Sequence, residues 1–221
     1  MSSIFTSSIG KKLLMSLAGI FLITFLLVHL GINLLVIVSD DTLLFNKAAH
    51  FMGTNIVIKV FEIVLFGGFL LHIIYALILQ FQNWLARPKR YRKMNKSDTS
   101  PFSRWMIHTA LLILTFLVIH LVDFYFKAKF GQAAEITVDG VHYHDLATMV
   151  MEKFKIPGFV IFYLAAFVFL GFHLIHGFQS AFKTLGLDNK TYTPIIQFIS
   201  ILYTIIVVGG FTAIPLVIYF Q

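Results

Sequence analysis

The chain has 221 residues, of which 58% are hydrophobic and only 12% are charged, and it contains no cysteine. A soluble globular domain has about 25% charged residues, so this composition predicts a membrane protein. Without cysteine, disulfides, iron–sulfur clusters and covalently attached c-type haem are excluded within this chain. The net charge of +7 does not indicate nucleic-acid binding, because most of the chain is expected to lie in lipid.

Five apolar stretches are long enough to cross the hydrocarbon core of a membrane, which takes about 20 helical residues. In chain order they are Leu13–Val38, Ile56–Trp84, Trp105–Phe126, Pro157–Phe182 and Ile195–Tyr219. No remaining segment is long and polar enough to fold separately. The sequence therefore predicts an all-α membrane protein, with one domain over residues 1–221 and five transmembrane helices in a bundle.

Basic residues concentrate on one side of this five-helix arrangement. They are Lys11, Lys12, the loop Arg87–Lys96, Lys183 and Lys190, whereas the other side has Asp40, Asp41, Glu135, Asp139, Asp145 and Glu152. Because cytoplasmic loops are enriched in lysine and arginine, the N-terminus is predicted to be cytoplasmic and the C-terminus external. The basic side is also expected to attract anionic lipid or to dock a soluble partner, two compatible interpretations.

Four histidines lie inside four separate spans: His29, His72, His120 and His173. At membrane depth an imidazole has no water to pair with, so an ionisable residue there indicates a functional site. Histidine is a standard axial ligand of haem iron, and four histidines suffice for two bis-imidazole haems. Since the chain has no cysteine, both haems would be b-type, bound without a covalent link.

The depth of each histidine follows from the helical rise of about 1.5 Å per residue. His29 lies about 25 Å beyond Lys12 and His120 about 24 Å beyond Arg104, both towards the outer face. His72 and His173 lie about 18 and 15 Å outward from the inner ends of their spans. The sequence therefore predicts an outer pair, His29 with His120, and an inner pair, His72 with His173.

An intramembrane histidine can also simply hydrogen-bond across a helix interface. Small residues beside the four histidines favour haem, since they let a flat macrocycle approach a helix, although glycine is also common in ordinary transmembrane packing. These are Gly31, Gly67, Gly68 and Gly171. As ligands the imidazoles must be neutral, with the second ring nitrogen donating to a carbonyl or hydroxyl.

Two further histidines are candidates for contact with haem propionates. His176 follows His173 by three residues, so it faces nearly the same way one turn further in. It is expected to contact an inner propionate, with replacement of His173 as ligand the alternative. His108 lies near the inner rim, where it meets either a propionate or the membrane interface.

Several runs resemble one family. They are Phe25–Asn33, Leu71–Tyr75, Leu117–His120 and Gly171–Phe178, together with His50–Asn55 and Ser8–Lys12. They look like the single-chain, two-haem cytochrome b subunit of succinate dehydrogenase and fumarate reductase complexes. The similarity covers essentially all five spans, and its specificity comes from the order and depth of the motifs.

The resemblance implies a concrete function. Such a subunit anchors a flavoprotein and an iron–sulfur protein on the cytoplasmic face of the bacterial cytoplasmic membrane. Succinate is oxidised at the flavin, outside this chain, and electrons pass through the inner and outer haems to a quinone, usually menaquinone. Four positively charged positions are expected to meet the iron–sulfur subunit or the inner propionates: Lys11, Lys12, Arg104 and the loop around Arg90.

One position departs from part of this family. Some fumarate-reducing relatives have a glutamate two residues before the last haem histidine, where this chain has Gly171. The associated transmembrane proton path is therefore not expected, which favours succinate oxidation over fumarate reduction. A cytochrome b anchor of a hydrogenase or formate dehydrogenase and a non-redox scaffold or transporter are the alternatives.

Quinone reduction needs a proton donor beside an apolar slot near the last haem. Glu62, Asp123 and His50 are the outer-side candidates. Both carboxylates also have an ordinary explanation. Glu62 can form an ion pair with Lys59 three residues earlier, and Asp123 can simply be the polar residue at which the third span ends.

Overall fold

The computed structural model describes residues 7–38, 41–85, 105–131 and 133–221. In this part of the chain, five helices are long and apolar enough to cross a membrane. They are α1 (Ser8–Val38), α3 (Ile56–Leu85), α4 (Met106–Lys129), α6 (Pro157–Thr184) and α7 (Tyr192–Phe220). The predicted five long helices are therefore present, each close to its predicted bounds, as expected of a multi-pass membrane protein.

Four shorter elements lie between the long helices, and the sequence analysis did not predict them. They are α2 (Thr42–Thr54), strands β1 (Glu135–Val138) and β2 (Val141–His144), and α5 (Leu146–Phe154). The strands form an antiparallel hairpin in which Ile136 pairs with Tyr143. The fold is thus mainly but not wholly α-helical. We call these four elements the end cap.

The hairpin turn is made by Asp139 and Gly140, which have φ angles of 54° and 77°. A two-residue hairpin turn needs positive φ at its central positions, and Asp-Gly is a favoured pair for it. The sequence analysis missed this hairpin, although the Asp139–Gly140 dipeptide is a sequence signal for it.

A buried asparagine joins the two helices of the end cap. Asn46 is 1% exposed; its amide donates to Asp145 Oδ1 over 3.0 Å, and its oxygen accepts from the Ala147 backbone N–H over 2.9 Å. Desolvation favours a higher pKa for Asp145, but hydrogen bonds from Thr148 and Asn46 outweigh it and hold the pKa below its usual value. Asp145 therefore stays ionised as the N-terminal cap of α5.

Helix α1 lies against α3, α6 and α7, while α4 packs on α6. Helices α1 and α7 approach closely at Gly210, where an added Cβ would lie 2.8 Å from Leu30 Cδ1. Leu30 is 5% exposed, so it has little room to move aside. This contact lies one residue after His29 on α1.

Much of the outer surface of the long helices is apolar. Ile63 on α3 and Phe198 on α7 are 74% and 68% exposed. An exposed apolar surface of this extent is what a bilayer covers, since lipid tails are themselves apolar.

Candidate functional site

The structure brings the four intramembrane histidines together in two pairs. His29 on α1 faces His120 on α4, with ring centres 5.8 Å apart, and His72 on α3 faces His173 on α6 at 6.3 Å. The pairs are those that the depths along the helices predict. Whether the four imidazoles ligate haem remains a prediction.

The two pairs lie at different levels of the bundle. On helix α6, Tyr163 contacts His120 of the one pair. His173 of the other pair lies ten positions later on the same helix. Ten helical residues rise about 15 Å, so the pairs are stacked about that far apart along α6.

The spacing within each pair fits a shared axial metal. Metal–imidazole bonds are about 2 Å long, so two rings on opposite sides of one ion have centres about 6 Å apart. Within the described residues, no group of three or more histidine, cysteine, aspartate or glutamate side chains could hold a metal. A haem does not need such a group, because the porphyrin supplies the four equatorial nitrogens and the protein only the two axial ones.

Both histidines of the inner pair have an orphaned ring nitrogen. The Nδ1 atom of His173 is buried without a hydrogen-bond partner in the described structure, and so is Nδ1 of His72, whose ring also lies near the Met15 backbone. A buried polar atom left unpaired costs about 1–3 kcal/mol, so each of these atoms calls for a partner. His144 Nδ1 in the end cap likewise lacks a hydrogen-bond partner among the described residues, so this feature is not confined to the intramembrane histidines. All four rings are only partly covered by protein.

A glycine also lies against the His72 ring. A Cβ added to Gly19 would lie 3.6 Å from His72 Cε1. The glycines that the sequence analysis singled out behave differently: Gly31 and Gly67 meet nothing within 4 Å, whereas Gly68 approaches Phe21. Gly171 is buried against α7, where a Cβ would contact Val208 and Thr204 at 3.6 and 3.7 Å. Gly171 therefore faces α7 and not a histidine ring.

Aromatic side chains surround the outer pair. Phe25 stacks on His29 with ring centres 5.2 Å apart, and Phe116 stacks on His120 at 5.7 Å. Asn33, one turn beyond His29, donates to the His29 backbone oxygen over 2.8 Å and lies 3.4 Å from its Nδ1. These contacts hold the two rings in an apolar environment.

The sequence analysis missed Tyr163. This residue is 3% exposed on α6, and its hydroxyl lies 3.2 Å from His120 Nδ1. A buried tyrosine hydroxyl usually has a hydrogen-bond partner. A tyrosine inside an apolar run therefore indicates, from the sequence alone, that a polar group lies nearby. Only the packing of α4 on α6 identifies that partner as His120.

A π-helical turn, Leu121–Tyr125, follows His120 directly. Such single turns insert one extra residue into a helix and are frequent at functional sites. Asp123 lies within this turn and pairs with Lys153 at 2.7 Å and with Lys127 at 3.2 Å. Asp123 is thus an ion-paired residue beside His120, rather than only the end of a span.

The partner that the structure gives Glu62 differs from the one expected. Its carboxylate accepts hydrogen bonds from Lys129, at 2.9 Å, and from the Tyr125 hydroxyl. The ordinary explanation, an ion pair, is therefore wrong in its partner: the residues that pair with Glu62 are Tyr125 and Lys129, from the π-helical turn and the residues after it, and not Lys59. Lys59 acts on this carboxylate only through its longer-range charge.

An open groove of about 470 Å³ lies against α4 at Ile119, the residue before His120, and at Asp123, three residues after it. Its lining is Ile119, Asp123, Lys153, Ile156, Gly158, Phe159 and Phe162. The groove thus combines aromatic and aliphatic walls with one carboxylate–ammonium pair. Glu62 and His50 do not line it; the His50 ring instead lies 5.1 Å from Tyr143 in the end cap.

The remaining candidates lie towards the opposite end of the bundle. His176 is partly buried one turn from His173, and the exposed His108 lies 5.1 Å from the Trp105 ring. Lys12 lines an open groove of about 550 Å³ with Lys183, Ser180 and Thr184, and Lys11 precedes it on α1. Arg104 and the loop around Arg90 lie outside the described residues.

Comparisons of this chain with protein-family models, curated proteins and solved structures gave no match.

Proposed function

We propose that this chain is the two-haem cytochrome b subunit of a succinate:menaquinone oxidoreductase in a bacterial cytoplasmic membrane. In this role it anchors a flavoprotein and an iron–sulfur subunit on the cytoplasmic face and takes electrons from the iron–sulfur subunit. His72 and His173 hold the inner haem b, and His29 and His120 the outer one.

The observation that supports this proposal most is the stacking of two histidine pairs inside an apolar bundle. A scaffold that used histidine only to join helices would not need two facing pairs with ring centres near 6 Å. The family resemblance of the flanking motifs supplies the identity of the complex and its substrate.

The bound haems would supply one-electron transfer between the iron–sulfur subunit and quinone. The protein's own part is to hold four neutral imidazoles in fixed orientations and to exclude water with the surrounding phenylalanines. Lys11 and Lys12, with His108 and His176, provide positive or neutral donors at the inner end for propionates or for the partner subunit.

The groove against α4 suits a quinone. A quinone has an apolar ring and tail with carbonyl oxygens, which matches aromatic walls ending in a charged pair. Lys153 can donate a hydrogen bond to a carbonyl oxygen, and Asp123 can pass a proton between Lys153 and solvent. Of the three proton-handling candidates, Asp123 is therefore the one that we propose for quinone reduction.

Succinate oxidation is the direction we propose. At position 171 a glutamate side chain would have to enter the packed contact between α6 and α7, so this bundle does not favour a proton path there. The reverse reaction, fumarate reduction, is the alternative for the same complex.

Haem content tests the proposal. We expect the purified complex to show two b-type haems per chain by pyridine haemochrome and by reduced-minus-oxidised spectroscopy. Replacing His120 by alanine should remove the outer haem only, and replacing His173 should remove the inner one, because each loses an axial ligand.

His142→Ala is the matched control, since that imidazole is exposed in the end cap and should leave both haems in place. A native complex without haem contradicts the whole proposal. One haem per chain would restrict it to the pair whose replacement removes that haem.

A further inference from the structure

Tyr163 is a buried polar residue to which no role has yet been assigned. Its ring is enclosed by phenylalanines, and it is 3% exposed. The enclosing rings are Phe116, Phe124, Phe154, Phe159, Phe162 and Phe167. Its hydroxyl oxygen lies at hydrogen-bonding distance, 3.2 Å, from His120 Nδ1, and the tautomer of His120 decides which of the two donates.

We propose that Tyr163 is the positioning residue of the outer haem: it accepts a hydrogen bond from His120 Nδ1–H, fixes the tautomer that leaves Nε2 free for iron, and lowers the reduction potential of that haem. This inference rests on the proposed function.

The tautomer argument follows from the chemistry of imidazole. A neutral imidazole has one N–H and one nitrogen with a free lone pair. If His120 binds iron through Nε2, the proton must be on Nδ1, and the group facing Nδ1 must accept it. The Tyr163 oxygen is at the position where that acceptor is needed.

The effect on potential follows from charge. An acceptor at Nδ1–H makes the imidazole a more basic ligand, and a more basic ligand stabilises the oxidised iron. The other three histidines have no side-chain acceptor among the described residues. The Asn33 atom 3.4 Å from His29 Nδ1 is the amide nitrogen, which donates, and no side chain faces Nδ1 of His72 or of His173, although the Met15 backbone lies near the His72 ring. The Tyr163 hydroxyl would thus give the two haems different reduction potentials.

The test is Tyr163→Phe, which removes the hydroxyl and keeps the ring. We expect both haems to be retained and the equilibrium constant for reducing the outer haem to rise about tenfold, which corresponds to about 59 mV for a one-electron couple. Redox titration followed optically and by electron paramagnetic resonance measures it, with the inner haem as internal reference.

Tyr203→Phe is the matched control. The Tyr203 hydroxyl is also partly buried, but it donates to the Ile23 backbone oxygen over 2.7 Å and not to a histidine, so both potentials should stay unchanged. If Tyr163→Phe leaves the outer potential and spectrum as unchanged as the control does, the inference is wrong while the proposed function stands. Absence of haem from the unaltered complex would instead overturn the proposed function.

A measurement on the unaltered complex covers the case in which the variant does not fold. Hyperfine spectroscopy of the oxidised outer haem, in complex produced in D₂O, should detect two Nδ1 deuterons with unequal quadrupole couplings. The smaller coupling is expected for His120, because a hydrogen bond to the Tyr163 oxygen lengthens its N–D bond. Equal couplings at the two ligands would overturn the inference.

Discussion

At the scale of single residues, the local environment separates polar groups that looked equivalent in the sequence. Glu62 and Asp123 are both carboxylates near the ends of apolar runs, and both prove to be paired with lysines. Only Asp123 lines the groove against α4. The environment, not the residue type, therefore separates the two carboxylates, and it places Asp123 at the groove that we propose for quinone.

This difference leads to a prediction for the two carboxylates. Asp123→Asn should lower electron transfer from succinate to quinone by about 100-fold, because general acid–base catalysis commonly contributes at least that much. Glu62→Gln should retain most of the activity, since its carboxylate does not line the groove. Quinone reduction is assayed beside haem content and succinate-dependent dye reduction at the flavoprotein.

Haem content and dye reduction should stay normal in both variants, which separates a loss of quinone chemistry from a loss of assembly. Normal quinone reduction in Asp123→Asn would remove this residue from the proposal. Normal activity in both variants would end the hypothesis that either carboxylate protonates quinone.

At the scale of elements, the contact between α1 and α7 depends on one glycine. Gly210→Ala would place a methyl group 2.8 Å from a Leu30 methyl carbon. Overpacking of this kind typically costs about 1–3 kcal/mol, and Leu30 adjoins His29, so we expect a lower thermal midpoint and weaker retention of the outer haem. Circular dichroism and Soret absorbance during heating measure the two effects.

Gly209→Ala is the control for this change, because a Cβ at the neighbouring position meets no atom within 4 Å. It should have little effect on either measurement. Equal behaviour of the two variants would show that α1 and α7 do not need a glycine at their contact.

At the scale of the whole molecule, the proposed haems at the two stacked pairs would give electron flow a direction across the membrane. If succinate is oxidised on the cytoplasmic side and quinone is reduced beside the outer pair, electrons move outward, towards the positive side. A membrane potential then assists the reaction by about 2.3 kcal/mol per charge per 100 mV for a full crossing.

This geometry predicts that an uncoupler slows succinate oxidation by menaquinone in intact cells or in proteoliposomes. The same complex in detergent has no potential to lose, so its turnover should not respond to the uncoupler. Unchanged turnover in the intact membrane would place the quinone site elsewhere, at a level that electrons reach without crossing the field.

The sequence alone determines the long helices of this protein and the depth of its histidines. Both follow from local rules: apolar runs of sufficient length form transmembrane helices, and a fixed rise per residue converts position into depth. For this reason the pairs His29–His120 and His72–His173 could be predicted. The Asp139–Gly140 turn was equally local, and its hairpin was predictable from the same kind of rule.

Only the tertiary structure decided which side chains meet across helices. The hydroxyl of Tyr163, the pairing of Glu62 with Lys129 in place of Lys59, and the groove at Asp123 all depend on how α4 lies between its neighbours. The π-helical turn after His120 changes the faces that α4 presents beyond it. Periodicity along one helix contains no information on the rotation of one helix against another, because that rotation is set by packing between residues far apart in the chain.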